Sequence, residues 1–115
     1  GYSRFSSYVG NGNVNGPFVW TGFKPAFVMI KANSASKNWY IWDNKRSPIN
    51  PVDEGLVPNL AGAEVTGYDP IDILSNGFKL RDADATWNGS GTTTIFMAFS
   101  ENPFVTSTGI PTTAR

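Results

Sequence analysis

Glycine and proline limit what this chain can fold into more than any other feature does. Twelve glycines and eight prolines are spread through 115 residues rather than gathered in a linker. They cut the sequence into pieces of about five to nine residues, whereas helices typically need roughly 10 or more uninterrupted ones. Glycine weakens a regular element through backbone entropy, and proline removes a ladder donor and fixes φ. The chain is therefore expected to be built from short strands and turns, with no helix.

Residues 2–9, if extended, put Tyr2, Arg4, Ser6 and Tyr8 on one face and Ser3, Phe5, Ser7 and Val9 on the other. A turn-rich Gly10-Asn11-Gly12-Asn13 follows, then a short strand over residues 18–21, closed by Gly22 and redirected by Pro25. Residues 26–32 form the clearest buried strand, because Phe27, Val28, Met29 and Ile30 are consecutive and both sheet faces need cover. Through a polar loop it is expected to pair antiparallel with residues 39–43. Pro48, Pro51 and Pro58 then interrupt any ladder, so residues 44–62 read as a long irregular excursion of the kind that often carries binding. Residues 63–66 and 71–74 are short strand candidates. Asn76-Gly77 between residues 71–74 and 78–81 is the strongest hairpin signal, because a tight turn centred there needs positive φ at both positions. After the turn region 82–91, the threonines and aromatics of residues 92–100 predict a central strand.

Many short strands at close spacing are best buried as two stacked sheets. The expected fold is all-β: an antiparallel β-sandwich with long irregular loops, a jelly roll being one arrangement and a smaller barrel the alternative. Residues 1–104 form the domain, and 105–115 an extended C-terminal arm suited to lying on a neighbour.

Composition narrows the chemistry. The chain has no cysteine and no histidine. Serine triads, histidine-based zinc sites and cysteine nucleophiles are excluded together, leaving carboxylate, lysine or tyrosine chemistry. No catalytic centre, metal or cofactor is expected. Nine basic and nine acidic side chains cancel, and the longest like-charge runs are pairs such as Lys45-Arg46 and Asp53-Glu54. That argues against nucleic-acid binding, which draws on a clustered basic surface. Apolar stretches of about five residues fall far short of the roughly 20 needed to span a bilayer as a helix, so no membrane insertion is expected.

Trp39, Tyr40 and Trp42 alternate so that Tyr40 and Trp42 share a face; they are either a stacking platform for sugar rings or core packing. Trp87 and Asn88, with Asp84 just before them, lie in a predicted loop and form the better surface candidate for ligand contact. The competing reading is a tryptophan plugging the end of the sandwich. Asp82 and Asp84, with Asp69 and Asp72 upstream, lack the spacing of a calcium loop and read as solvated turn acids. Asp43, Asp53 and Glu54 are a weak candidate for a glycosidase carboxylate pair. Arg46 is either a carboxylate clamp or part of an Asx-type turn, paired to a nearby acid. The ligand-binding candidates are thus Trp87, Asp84 and Asn88 in one loop and Tyr40, Trp42 and Arg46 near another.

Five blocks in order, GFKPAFVMIK (22–31), WYIWD (39–43), RSPINP (46–51), LSNGFKL (74–80) and FMAFSENPF (96–104), carry a resemblance. From about Gly10 to Phe104 the chain resembles an uncharacterised domain family recurrent in tailed-bacteriophage virion proteins, commonly at the distal end of tail fibres or tail spikes. The resemblance implies a virion component, homo-oligomeric with a trimer favoured, that recognises host-surface polysaccharide or lipopolysaccharide without catalysis. It supplies no binding residues. A structural virion module, such as a capsid decoration or fibre-trimerising domain, is the alternative, and part of a polysaccharide depolymerase the remote one.

Overall fold

In the computed structural model, residues 2–34, 36–68, 70–101 and 108 are described. Eight strands and one helical turn follow in the order β1 (Ser3–Val9), β2 (Phe18–Trp20), β3 (Pro25–Ala32), β4 (Tyr40–Asp43), β5 (Gly55–Leu56), β6 (Ile71–Leu74), β7 (Gly77–Leu80), α1 (Ala85–Asn88) and β8 (Thr93–Ser100). They form a five-stranded sheet of order β1-β8-β3-β4-β5 and a three-stranded sheet of order β2-β7-β6. All the strand pairs within these sheets are antiparallel. The fold is an all-β sandwich.

The outer part of the topology follows a jelly roll. β1, β2 and β3 alternate between the sheets, and β8 and β7 lie beside β1 and β2 respectively. The roll stops there, because β3-β4 and β6-β7 each close as hairpins within one sheet.

The core lies between the sheets. Val28, Ile30, Phe96, Ala98, Trp42 and Tyr8 of the large sheet meet Val19, Phe78, Leu80, Ile71 and Ile73 of the small one. Phe78 joins the layers edge-on, its ring 6.0 Å from Tyr8 and 5.4 Å from Phe96. The β3-β4 pairing and the central position of β8 between β1 and β3 agree with the sequence reading.

Three local expectations are corrected. The hairpin forms, but Leu74 pairs with Gly77, so Ser75 and Asn76 make the turn and neither has positive φ. Gly77 is in the strand because β2 lies against it: a Cβ there would sit 2.1 Å from the Val19 carbonyl oxygen. Residues 63–66 form no strand, only an isolated bridge from Val65 to Gly55, since Val65 alone of the four is shielded from solvent.

The excursion 44–62 is the third, for it is more regular than expected. It contains β5, buries Val52, and is tied down where the Asn50 side chain donates to the Ile73 carbonyl at 2.8 Å and accepts from the Ile73 amide at 2.9 Å. A side-chain amide here imitates the next strand of the ladder.

Candidate functional site

The helical turn α1 was not expected, and it decides where Trp87 goes. Asp84 caps it, one carboxylate oxygen accepting from the Thr86 amide at 2.7 Å, and the Thr86 hydroxyl together with this amide holds the Asp84 carboxyl below the usual carboxylate range. The turn rotates Trp87 into the end of the sandwich, where it is 4% exposed. Its ring meets Tyr40 edge-on at 5.2 Å, Trp42 at 5.7 Å and Tyr68 at 6.1 Å. Tyr40 and Trp42 stack nearly parallel, 5.8 Å apart with an 11° interplanar angle. Tyr40, Trp42 and Trp87, expected near two separate loops, are thus one cluster. Trp42 and Trp87 are buried, their faces spent on neighbouring rings.

Asn88 is also interior. Its Nδ2 donates to the Asn11 side-chain oxygen and to the carbonyls of Asn13 and Asp82, and its Oδ1 accepts from the Asn11 amide at 2.9 Å. The side chain ties the 11–15 turn to the turn before α1. The expectation of Trp87 and Asn88 as exposed loop residues is corrected: both are buried, because α1 is anchored at its start and points them inward.

Arg46 adopts the turn reading. The Asp43 carboxylate accepts from the Lys45 and Arg46 amides at 2.8 Å each and from Arg46 Nε at 3.0 Å, while Arg46 Nη1 pairs with Glu64. The bond Arg46 donates to Glu64, with the charges of both acids, fixes the guanidinium still more firmly in its charged form.

Five of the acids considered for calcium or glycoside chemistry are used locally, Asp43 and Asp84 as above. Asp82 accepts from the Asp84 amide, Asp72 pairs with Arg81, and Asp53 accepts from the Ser47 hydroxyl. Asp69 lies outside the described residues. Among the described residues, no three acidic side chains converge as metal ligands would.

What the surface offers is elsewhere. Val19 points inward, so Phe18 and Trp20 on either side of it stand outward on the small sheet, 45% and 53% exposed. Trp20 pairs with Gly77 of β7, and Gly77 contributes no side chain to that face. Arg4, reaching across from β1, puts its guanidinium 4.8 Å from the centre of the Trp20 ring. The arrangement is an aromatic platform with a cation over one face of its larger ring, on the open seam between β1 and β2.

The profile of a family described as a domain of unknown function, DUF7483, matches residues 1–103. The chain belongs to the DUF7483 family. No curated protein and no solved structure matches it.

The Trp20 platform of this DUF7483 chain is hidden in the sequence, where residues 18–21 read only as a short strand. The signal was nonetheless there. In Phe18-Val19-Trp20 one β-branched residue separates two aromatics, and a strand of period two must send either Val19 or both rings outward. The burial of Val19 beside its partner Phe78 shows which.

Proposed function

We propose that this DUF7483 domain is a non-catalytic attachment module on the exposed surface of a tailed-phage virion, carried on a tail fibre, that recognises host-surface polysaccharide or lipopolysaccharide through Trp20. The observation that carries the reading is the half-exposed Trp20 ring with Phe18 on the same sheet face and the Arg4 guanidinium over one face of the ring, leaving the other to a ligand. A pyranose presents an apolar C–H face that stacks on such a ring, and a guanidinium beside it suits the carboxylates and phosphates of bacterial surface glycans. The sequence blocks that resemble phage virion domains support the setting. The absence of imidazole and thiol groups from the chain supports recognition without bond-making.

The test titrates a panel of bacterial surface polysaccharides against the wild type and Trp20→Ala, read by calorimetry, with circular dichroism as the folding control. Trp20→Ala is expected to lose at least about tenfold in affinity, the roughly 1–3 kcal/mol scale of aromatic stacking platforms, while unfolding within a few degrees of wild type. Unchanged affinity in Trp20→Ala, or a wild type that binds none of the panel, would reject the reading. No reducing ends should be released in any sample. A structural virion role is the second reading, favoured by the apolar outer face of the large sheet.

A further inference from the structure

Sandwiches with both outer faces in water send polar side chains outward, yet the middle of the five-stranded sheet does not. The pairing registers line up one row straight across it: Phe5 opposite Met97, Met97 opposite Met29, Met29 opposite Ile41, and Ile41 opposite Leu56. Every member is apolar, and the row crosses all five strands. These positions alternate with the buried Val28, Ile30, Trp42, Phe96 and Ala98, so they lie on the face turned away from the core. Phe99 and Phe27 flank the row on one side, and the Phe99 ring lies 5.8 Å from both Phe5 and Phe27. On the other side Ile95 is 45% exposed, and with Trp39 and the row members Met97 and Phe5, the latter 63% exposed, it borders an open groove of about 280 Å³.

Charge on this face is sparse and ordered. Among its strand positions only Lys31 and Asp43 are charged, and they fall on opposite sides of the apolar row. Lys31 pairs with Ile95 in the flanking row on one side, and Asp43 with Phe27 on the other. A twofold axis in the plane of the face, running along the central row, would exchange the two flanking rows. It would seat Lys31 of one copy over Phe27 of the other, one strand spacing of about 4.8 Å from Asp43. The Asp43, Arg46 and Glu64 group holds one more negative than positive charge, so the juxtaposition is attractive. The same operation sets apolar row against apolar row with the strands aligned, the common packing of two sheets.

We infer that the outer face of the five-stranded sheet binds a second copy of this chain in a twofold, face-to-face dimer. The size is adequate: β1, β8 and β3 run seven or eight residues, β4 four and β5 two, so at about 4.8 Å per strand and about 3.4 Å per residue the backbones cover roughly 450 Å², and side-chain relief and reach bring this towards the ~800 Å² per partner of a standard interface. A glycan is a poor occupant, since the central row offers no hydrogen-bonding side chain. The inference does not rest on the glycan reading, because the Trp20 platform is on the other sheet.

The experiment measures mass in solution by sedimentation equilibrium for the wild type, Phe5→Asp, Ile95→Lys, Lys31→Glu, and Lys31→Glu combined with Asp43→Lys, with circular dichroism as the folding control. Expected are a wild-type dimer, a dissociation constant raised at least tenfold in Phe5→Asp and Ile95→Lys, a weaker dimer in Lys31→Glu, and recovery in the double charge reversal. Phe5 and Ile95 are separately exposed, so loss of folding in one leaves the other to report. A wild type that stays monomeric at 0.1 mM overturns the inference and assigns the face to another segment or another partner. A trimer, or a dimer indifferent to both apolar substitutions, overturns it as well.

Discussion

At the scale of single residues, the domain is held by a few polar groups placed where water cannot reach. Tyr8, 8% exposed, donates its hydroxyl to the Trp87 carbonyl at 2.6 Å and so fixes α1 to the large sheet. Burial pushes the Tyr8 hydroxyl far above the ordinary tyrosine value, with the Thr94 hydroxyl working weakly against it. The folded protein therefore keeps this proton to higher pH than the unfolded chain does. The stability it contributes is complete below about pH 10, where a free tyrosine titrates, and is lost as pH rises beyond that. Tyr8→Phe should cost about 1–2 kcal/mol near neutral pH, because the Trp87 carbonyl loses its donor. It should also flatten the alkaline fall in stability. Urea unfolding at pH 7 and at pH 11 checks both, and an unchanged pH dependence in Tyr8→Phe would discard the assignment. Little of this was legible in the sequence. Tyr8 shares its face with Arg4 and Ser6, so nothing marked that side of β1 as the core, while Phe5 and Val9 gave the opposite face the stronger apolar signal.

The elements were read well where the pattern was decided locally and poorly where a neighbour decided it. β3 and β8 stand out because their apolar residues are nearly continuous, and each has strands on both sides. α1 is one turn long and owes its existence to the Asp84 cap and the burial of Trp87 and Asn88, features that a turn-rich sequence hides. Of the candidate ligand residues, the sequence correctly placed Tyr40 and Trp42 on one face, yet could not show that Trp87 closes over them. The β6-β7 turn shows the same limit. Asn76-Gly77 carried the composition of a tight turn, but the glycine serves β2. Its missing Cβ lets the Val19 carbonyl approach, and the Phe18 ring lies over it at 3.0 Å from where that Cβ would be. Gly77→Ala should therefore cost about 2–3 kcal/mol by overpacking, whereas an alanine in the exposed turn at Asn76 should cost much less. Thermal unfolding of the two variants separates the cases. Equal losses would mean that the turn, not the close approach of β2, requires glycine.

At the scale of the whole molecule, the order of the strands makes the ends of the domain interdependent. β1 is the first strand and β8 the last, and β8 lies between β1 and β3, pairing with β1 over residues 3–9 and with β3 over residues 25–32. The large sheet therefore has no pairing for β1, and no cover for one edge of β3, until the last strand is in place. Phe96 and Ala98 of β8 also belong to the buried core that joins the two sheets. Loop closure must precede these long-range pairings, so folding is expected on the millisecond-to-second scale of all-β topologies rather than in microseconds. The same dependence predicts the fate of a shortened chain. Ending the chain at Gly91 leaves β2, β7 and β6 facing β3, β4 and the two-residue β5, with β1 unpaired and Phe96 and Ala98 gone from the core between them, and so small a pair of sheets with its core opened is marginal in water. Such a chain should give the narrow amide dispersion of an unfolded protein in a ¹H–¹⁵N spectrum, and the full chain a wide one. A dispersed spectrum from the shortened chain would mean that β2-β7-β6 and β3-β4-β5 form a core by themselves and that β8 is added to a sheet already made.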